Sequence, residues 1–327
     1  MRDSKLSWQK ILAQGFATAN ELLAFLQLPP TLGNRAAEDT FKTRVPRSYA
    51  QRMQPGNARD PLLLQVLAVS DELRPHDGFE QDPLAEKQVN PITGLMHKYH
   101  GRVLLTVTGA CAINCRYCFR RHFPYDNNNP GREGWQQAID YIAQDASIHE
   151  VILSGGDPLL ASNTLLITLL EHLSAINHVK TVRFHTRIPV VLPERIDTGF
   201  LQLLRKIPCN KVMVLHCNHA NELSEQVAHV CYLLREAGCL LLNQSVLLAG
   251  VNDDAQVLAS LSERLFASGV LPYYLHLLDK VQGAAHFDIP KQRAITLYHE
   301  LQALVPGYLV PKLAREEPGK KNKTLFA

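Results

Sequence analysis

The stretch Val103-Leu104-Leu105-Thr106-Val107, with Cys111-Ala112-Ile113-Asn114-Cys115-Arg116-Tyr117-Cys118 after it, decides how this chain is read. The first segment is a short apolar run of the kind that forms a buried strand. The second sets three thiols on one loop at that strand's C-terminal end. Thiolates are soft ligands that select iron–sulfur clusters, zinc or Cu(I). An iron–sulfur cube ordinarily takes four cysteines, so three from one loop leave one iron free to chelate a small molecule through an amine and a carboxylate. The alternative is structural zinc, which takes four ligands, commonly two C-x2-C pairs or a cysteine pair with histidines. Only Cys115 and Cys118 have that spacing and no second pair follows, although His122 offers a fourth donor.

The composition sets the surroundings of that loop. The chain has 327 residues, 46% hydrophobic and 20% charged, enough for one large domain or two small ones with a substantial core. A net charge of +3 implies no strong attraction to nucleic acid or membrane, and the Lys320, Lys321, Lys323 run is local. Met1-Arg2-Asp3-Ser4-Lys5 lacks the apolar core of a signal peptide, and no stretch reaches the ~20 apolar residues of a membrane span. A reducing cytoplasm, where thiols stay free, is the expected setting. Of the seven cysteines, Cys209, Cys217, Cys231 and Cys239 lie in or beside apolar segments and are expected to be buried core thiols.

Towards the N-terminus, residues 4–28 read as short helices ended by Pro29-Pro30, followed by a proline-interrupted region to about residue 97 in which Pro61–Val69 fits either a strand or a short helix. From residue 102 a rhythm begins. Strand-like runs recur at Arg102–Thr108, Glu150–Ser154, Thr181–Thr186, Lys211–Cys217, Leu240–Leu248 and Pro272–Leu277, with helical stretches such as Trp135–Ala146, Leu165–Ile176, Glu222–Ala237 and Gln256–Ser268 between them. Repeated strand–helix units predict an α/β fold with a parallel sheet. Six of them suit an incomplete (β/α)6 barrel, with chemistry at the strands' C-terminal ends. Those ends carry Ser154-Gly155-Gly156-Asp157-Pro158-Leu159, His185-Thr186-Arg187, His216-Cys217-Asn218-His219, Asn243-Gln244 and Asp279. Each could be an ordinary turn or core residue; their convergence on one rim points to a site.

The C-x3-C-x2-C spacing resembles the signature of the radical S-adenosylmethionine enzymes. Cys118-Phe119-Arg120-Arg121-His122, Leu153-Ser154-Gly155-Gly156-Asp157-Pro158-Leu159, Thr186-Arg187-Ile188-Pro189-Val190-Val191-Leu192-Pro193, Asn243-Gln244-Ser245-Val246-Leu247-Leu248-Ala249-Gly250-Val251-Asn252-Asp253 and Pro272-Tyr273-Tyr274-Leu275 together resemble the lysine 2,3-aminomutase family across roughly residues 90–325. The short C-terminal region and His286-Phe287-Asp288-Ile289-Pro290 resemble the bacterial branch that supplies β-lysine for modifying elongation factor P. The resemblance implies an isomerase with a [4Fe-4S] cluster, S-adenosylmethionine and pyridoxal 5'-phosphate, acting on L-lysine. It implies a reductant such as a flavodoxin or ferredoxin, and a functional link to elongation factor P and its ligase. It further implies a helical extension over residues 1–95, a radical barrel over 96–290 and a C-terminal helix with a cofactor-binding tail over 291–327.

Roles carry over residue by residue. Cys111, Cys115 and Cys118 match the cluster ligands, and Ser154, Gly155, Gly156 and Asp157 the glycine-rich motif that holds the methionine amine. His216, Asn243 and Gln244 match positions around the nucleoside and cofactor, and Lys98 and Arg102 match contacts to the cofactor phosphate. Arg120 matches the arginine for the substrate carboxylate, a planar fork suited to a bidentate pair. Asp279 and Glu316 match acidic residues for the ε-amine. Lys323 aligns best with the pyridoxal lysine, with Lys320 and Lys321 as competitors. Two other functions fit the residues less fully: the same chemistry on another amino acid, which Asp279 argues against for an acidic substrate, and a non-enzymatic zinc-bound scaffold for a translation factor.

Overall fold

The computed structural model describes residues 6–86, 90–125 and 131–326. The apolar runs become strands of one nine-stranded sheet: β1 (Leu95–Tyr99), β2 (Arg102–Thr108), β3 (Glu150–Gly155), β4 (Thr181–Thr186), β5 (Asn210–His216), β6 (Cys239–Val246), β7 (Leu271–His276), β8 (Lys312–Arg315) and β9 (Thr324–Leu325). Their order in space is their order in the chain. β2 to β8 are parallel, and β1 and β9 pair antiparallel at the two edges. Parallel strands need crossovers, and right-handed crossovers that always step the same way put every helix on one face and curl the sheet. A doubly wound sheet would reverse direction midway. The result is the expected α/β incomplete barrel, open between β1 and β9.

One expectation is corrected. The parallel strands number seven, not six, because the segment after residue 290 adds the helix Lys291–Leu304 and then β8. The sheet begins at Leu95, where the helical extension was expected to end, and continues past residue 290 into β8 and β9. Pro61–Val69 opens with a helix, Pro61–Leu64, because Asp60 Oδ1 accepts from the amides of Leu62 and Leu63 at 2.8 and 3.1 Å.

Alternation along each strand sorts the side chains. Val103, Leu105 and Val107 on β2, Val151 and Leu153 on β3, Val182 and Phe184 on β4, and Met213 and Leu215 on β5 are buried in the main core beneath the helices. Leu275 and Leu313 do the same in a second cluster with Leu258, Leu297 and Leu301. Truncating any such leucine to alanine costs about 2–5 kcal/mol. The intervening positions, among them Arg102, Ser154, His185, His216, Gln244 and His276, therefore face the lumen, the polar ones collecting towards the strands' C-terminal ends. Cys209, Cys217, Cys231 and Cys239 are buried free thiols, as expected.

Candidate active site

The three-thiol loop leaves β2 and is gripped by the N-terminal extension. Asn114 N donates to Arg44 O at 3.0 Å, Arg116 N to Gln65 O at 2.9 Å, and Arg44 Nη1 to Cys111 O at 2.9 Å. Arg116 is fully buried and pairs with Glu72 through Nε at 2.8 Å, while Arg121 reaches the same carboxylate at 2.7 Å. These arginines are the bolts between the extension and the loop.

Burial pushes Cys118 up to about 12 and Cys111 well above the usual thiol range, in both cases with neighbouring cysteines adding to it. Such thiols stay protonated until a metal centre draws off the proton. His122, the fourth donor that zinc would need, turns its Nε2 to Gln282 O at 3.1 Å. Among the described residues no group of three or more His, Cys, Asp or Glu side chains is placed to hold a single metal ion. Three half-buried thiols on one loop without a fourth ligand fit an iron–sulfur cube with an open corner.

The glycine-rich motif packs on this loop. Gly156 N donates to Thr108 O at 2.7 Å and Asp157 N to Ala110 O at 2.8 Å. A Cβ on Gly156 would meet Ala110 O at 2.3 Å, and one on Gly155, at φ +113°, would meet Thr108 O at 2.5 Å. The glycines thus let backbone approach backbone. The Asp157 carboxylate accepts from Thr186 Oγ1 (2.7 Å), Arg187 N (2.8 Å), Leu159 N (3.1 Å) and Ile188 N (3.2 Å). It shapes the rim through these four bonds. Ser154 lies beneath Arg120 Nη1 at 3.4 Å.

His216 stacks on Tyr117, ring centroids 5.6 Å apart, and its Nε2 lies 3.0 Å from that phenol; burial holds it neutral, down to about 3. Gln244 is the register neighbour of His216 and Tyr274. Asn243 faces the other side of β6. Adjacent strand residues point to opposite faces, and its Nδ2 donates to Cys217 O and Ser245 Oγ, both at 3.0 Å, beside Leu258 and Leu261 under the helices.

A second group of charges lines the opening. Glu316, just past β8, accepts from Lys98 Nζ and Lys323 Nζ, both at 2.7 Å. Burial alone would raise its carboxyl, but the two ammonium groups outweigh it and hold it down to about 2. The β8–β9 hairpin fixes which lysine turns inward: Arg315 pairs Thr324, placing Lys323 opposite Glu316, while Lys320 and Lys321 are exposed. Asp279 is raised to about 7, first by burial and then by the Glu316 carboxylate. Arg102 lies over the Tyr99 ring at 4.9 Å. Arg120 is engaged on every side, with Nε and Nη2 each 2.7 Å from Glu86 and Nη1 on Gly155 O at 3.2 Å.

Glu86 belongs to this site without having been singled out, and His185 and Arg187 were read only as rim residues with no role assigned. Glu86 lies in a proline-interrupted stretch with no motif. Arg187 sits in a quoted run but carries no spacing signal. His185 faces the lumen from β4 with its Nε2 buried and unpartnered among the described residues, and burial drives it well below the usual imidazole range. An unpartnered polar atom facing the charges of Arg183, Lys323 and Arg120 fits a lumen built around a polar, anionic cofactor such as pyridoxal phosphate.

A thiol triad on an open-cornered loop at the mouth of a partial barrel defines a radical S-adenosylmethionine enzyme, and the Radical SAM superfamily model matches residues 105–261. The chain is 50% identical over 323 residues to the L-lysine 2,3-aminomutase of Haemophilus influenzae, covering 98% of this chain and 96% of that one, and 49% identical over 324 residues to that of Escherichia coli, covering 98% and 94%. Against the L-lysine 2,3-aminomutase of Acetoanaerobium sticklandii it is 35% identical over 97% of this chain and 77% of that one. The chain belongs to the L-lysine 2,3-aminomutase family, isomerases that use a [4Fe-4S] cluster, S-adenosylmethionine and pyridoxal phosphate.

Proposed function

We propose that this chain moves the α-amino group of free L-lysine to C3, and that the β-lysine so made modifies elongation factor P through its ligase in the cytoplasm. The observation that carries the reading is that the thiol loop follows β2 and the Lys323–Glu316 pair follows β8, both at the C-terminal ends of parallel strands of one sheet. The near-complete coverage of the Haemophilus influenzae and Escherichia coli relatives supports the elongation factor P branch. A low-potential carrier such as a flavodoxin or ferredoxin supplies the electron.

When bound, the cofactors supply a radical that removes a hydrogen atom and a carbonyl that carries the migrating amine. Cys111, Cys115 and Cys118 hold the cluster; Ser154, the Gly155-Gly156 backbone, His216 and Gln244 line the adjoining S-adenosylmethionine site. Lys98 and Arg102 take the cofactor phosphate. Lys323 is the attachment lysine, and Glu316 orients its Nζ. A carboxyl held near 2 is a weak proton acceptor, so the Lys323 proton leaves to water along a side chain that is 25% exposed. Arg120 receives the substrate carboxylate, with Glu86 holding the fork in place until then. Asp279 and Glu316 select a cationic side chain, since an acidic one would add a third negative charge to the same pocket.

The test is anaerobic turnover with iron, pyridoxal phosphate, S-adenosylmethionine and dithionite, reading β-lysine by derivatised chromatography, with L-glutamate and L-arginine in parallel. β-Lysine from lysine alone is the expected result. Protein carrying both cofactors that leaves lysine unchanged overturns the substrate assignment.

A further inference from the structure

Arg187 has no place in the chemistry above, yet it makes the closest charged contact to a cluster thiol. Its Nη1 donates to Cys115 Sγ at 2.7 Å. Its Nη2 is anchored by Gln65 Oε1 at 2.7 Å, Glu222 Oε2 at 2.8 Å and the Tyr49 phenol at 3.2 Å. The backbone amide of Arg187 is fixed by Asp157 at 2.8 Å. Both members of the Arg187–Glu222 pair are buried, and Glu222 is further committed to the amides of Asn218 at 2.9 Å and His219 at 3.1 Å. A buried guanidinium is costly to place, and one locked by four groups from three parts of the chain is aimed.

We propose that Arg187 is a positioning residue that sets the reduction potential of the cluster through its hydrogen bond to the Cys115 sulfur, with Glu222 offsetting part of its charge. This inference rests on the proposed radical chemistry. Hydrogen bonds to cluster sulfurs, net charge and exposure are the levers that tune such potentials. The step affected is entry of one electron from a low-potential donor of the flavodoxin or ferredoxin class. The donor is oxidised, the cluster is reduced, and no bond at Arg187 breaks. The reduced cluster is one unit more negative, so a fixed cation beside it favours reduction, and its effect is large in a site closed to water.

The experiment is a redox titration of the cluster, followed by electron paramagnetic resonance, in the reconstituted full chain. In Arg187→Gln/Glu222→Gln, which keeps hydrogen-bonding groups without stranding a buried charge, reduction becomes at least tenfold less favourable, about 59 mV lower for a one-electron couple. Glu222→Gln alone moves the midpoint the opposite way, and Arg187→Lys stays nearer the parent than the double variant does. Equal midpoints across the series at full iron content overturn the inference. Should the double variant fail to fold, the sign of the Glu222→Gln shift decides: an unchanged or lowered midpoint is equally fatal. A parent protein that takes up no cluster would instead remove the reading on which this one stands.

Discussion

Lys323 Nζ and Glu316 Oε2 stand 2.7 Å apart across the β8–β9 hairpin, and Glu316 uses its other oxygen for Lys98 on the opposite edge of the sheet. One carboxylate thus closes the gap that strand pairing leaves open and points an amine into the lumen.

Borohydride reduction of the protein loaded with pyridoxal phosphate should therefore trap the pyridoxyl group on Lys323, found by peptide mapping. Lys320→Ala and Lys321→Ala should keep the adduct and Lys323→Ala lose it. An adduct on Lys320 in the parent protein would contradict the register of the hairpin.

Asp279 predicts a pH limb. With its carboxyl raised to about 7, it is protonated and uncharged in the free enzyme below that pH, and its attraction for the lysine ammonium is lost there. kcat/KM for lysine should fall about tenfold per pH unit below 7, the slope of a single essential proton. Asp279→Asn should lower kcat/KM throughout and flatten that limb; a limb that survives the substitution belongs to another group.

Breaking the buried Arg120–Glu86 pair leaves a guanidinium without its carboxylate, a loss of about 3–5 kcal/mol. Glu86→Gln should accordingly melt earlier. If Arg120 receives the substrate carboxylate, saturating L-lysine should raise the Tm of this variant more than that of the parent, while cadaverine, which lacks the carboxylate, should not. Equal shifts with both ligands would take Arg120 out of substrate recognition.

Gly156→Ala would press a methyl group into Ala110 O, within 2.3 Å. The glycine-rich motif and the thiol loop could then no longer pack together, and iron per chain after reconstitution should drop at least several-fold with the fold retained by circular dichroism.

Much of this architecture was legible along the chain because buried parallel strands read as apolar runs, and those from Arg102 to Leu277 came within a few residues of their observed bounds. β8 and β9 escaped because four and two residues are too short for alternation to show. Asn243 and Gln244 were read together from one run, although a period of two sends neighbours to opposite faces. Arg116, Arg121 and Glu72 could not be found at all: ion pairs between residues 44 and 49 positions apart leave no local pattern, and a buried arginine looks like any other until its partner is located.

The Lys98–Glu316 contact joins residues 218 positions apart, and this has a consequence for synthesis on the ribosome. The residues that grip the thiol loop, 42–72, leave the ribosome before most of the barrel is made, so the first contacts of the iron half are available early. The amine that turns towards the lumen, and the carboxylate that fixes it, emerge with the final hairpin. A nascent or prematurely released chain can thus have its thiol loop in place before any lysine is ready to anchor the second cofactor, and order of emergence separates the arrival of the two chemistries in time.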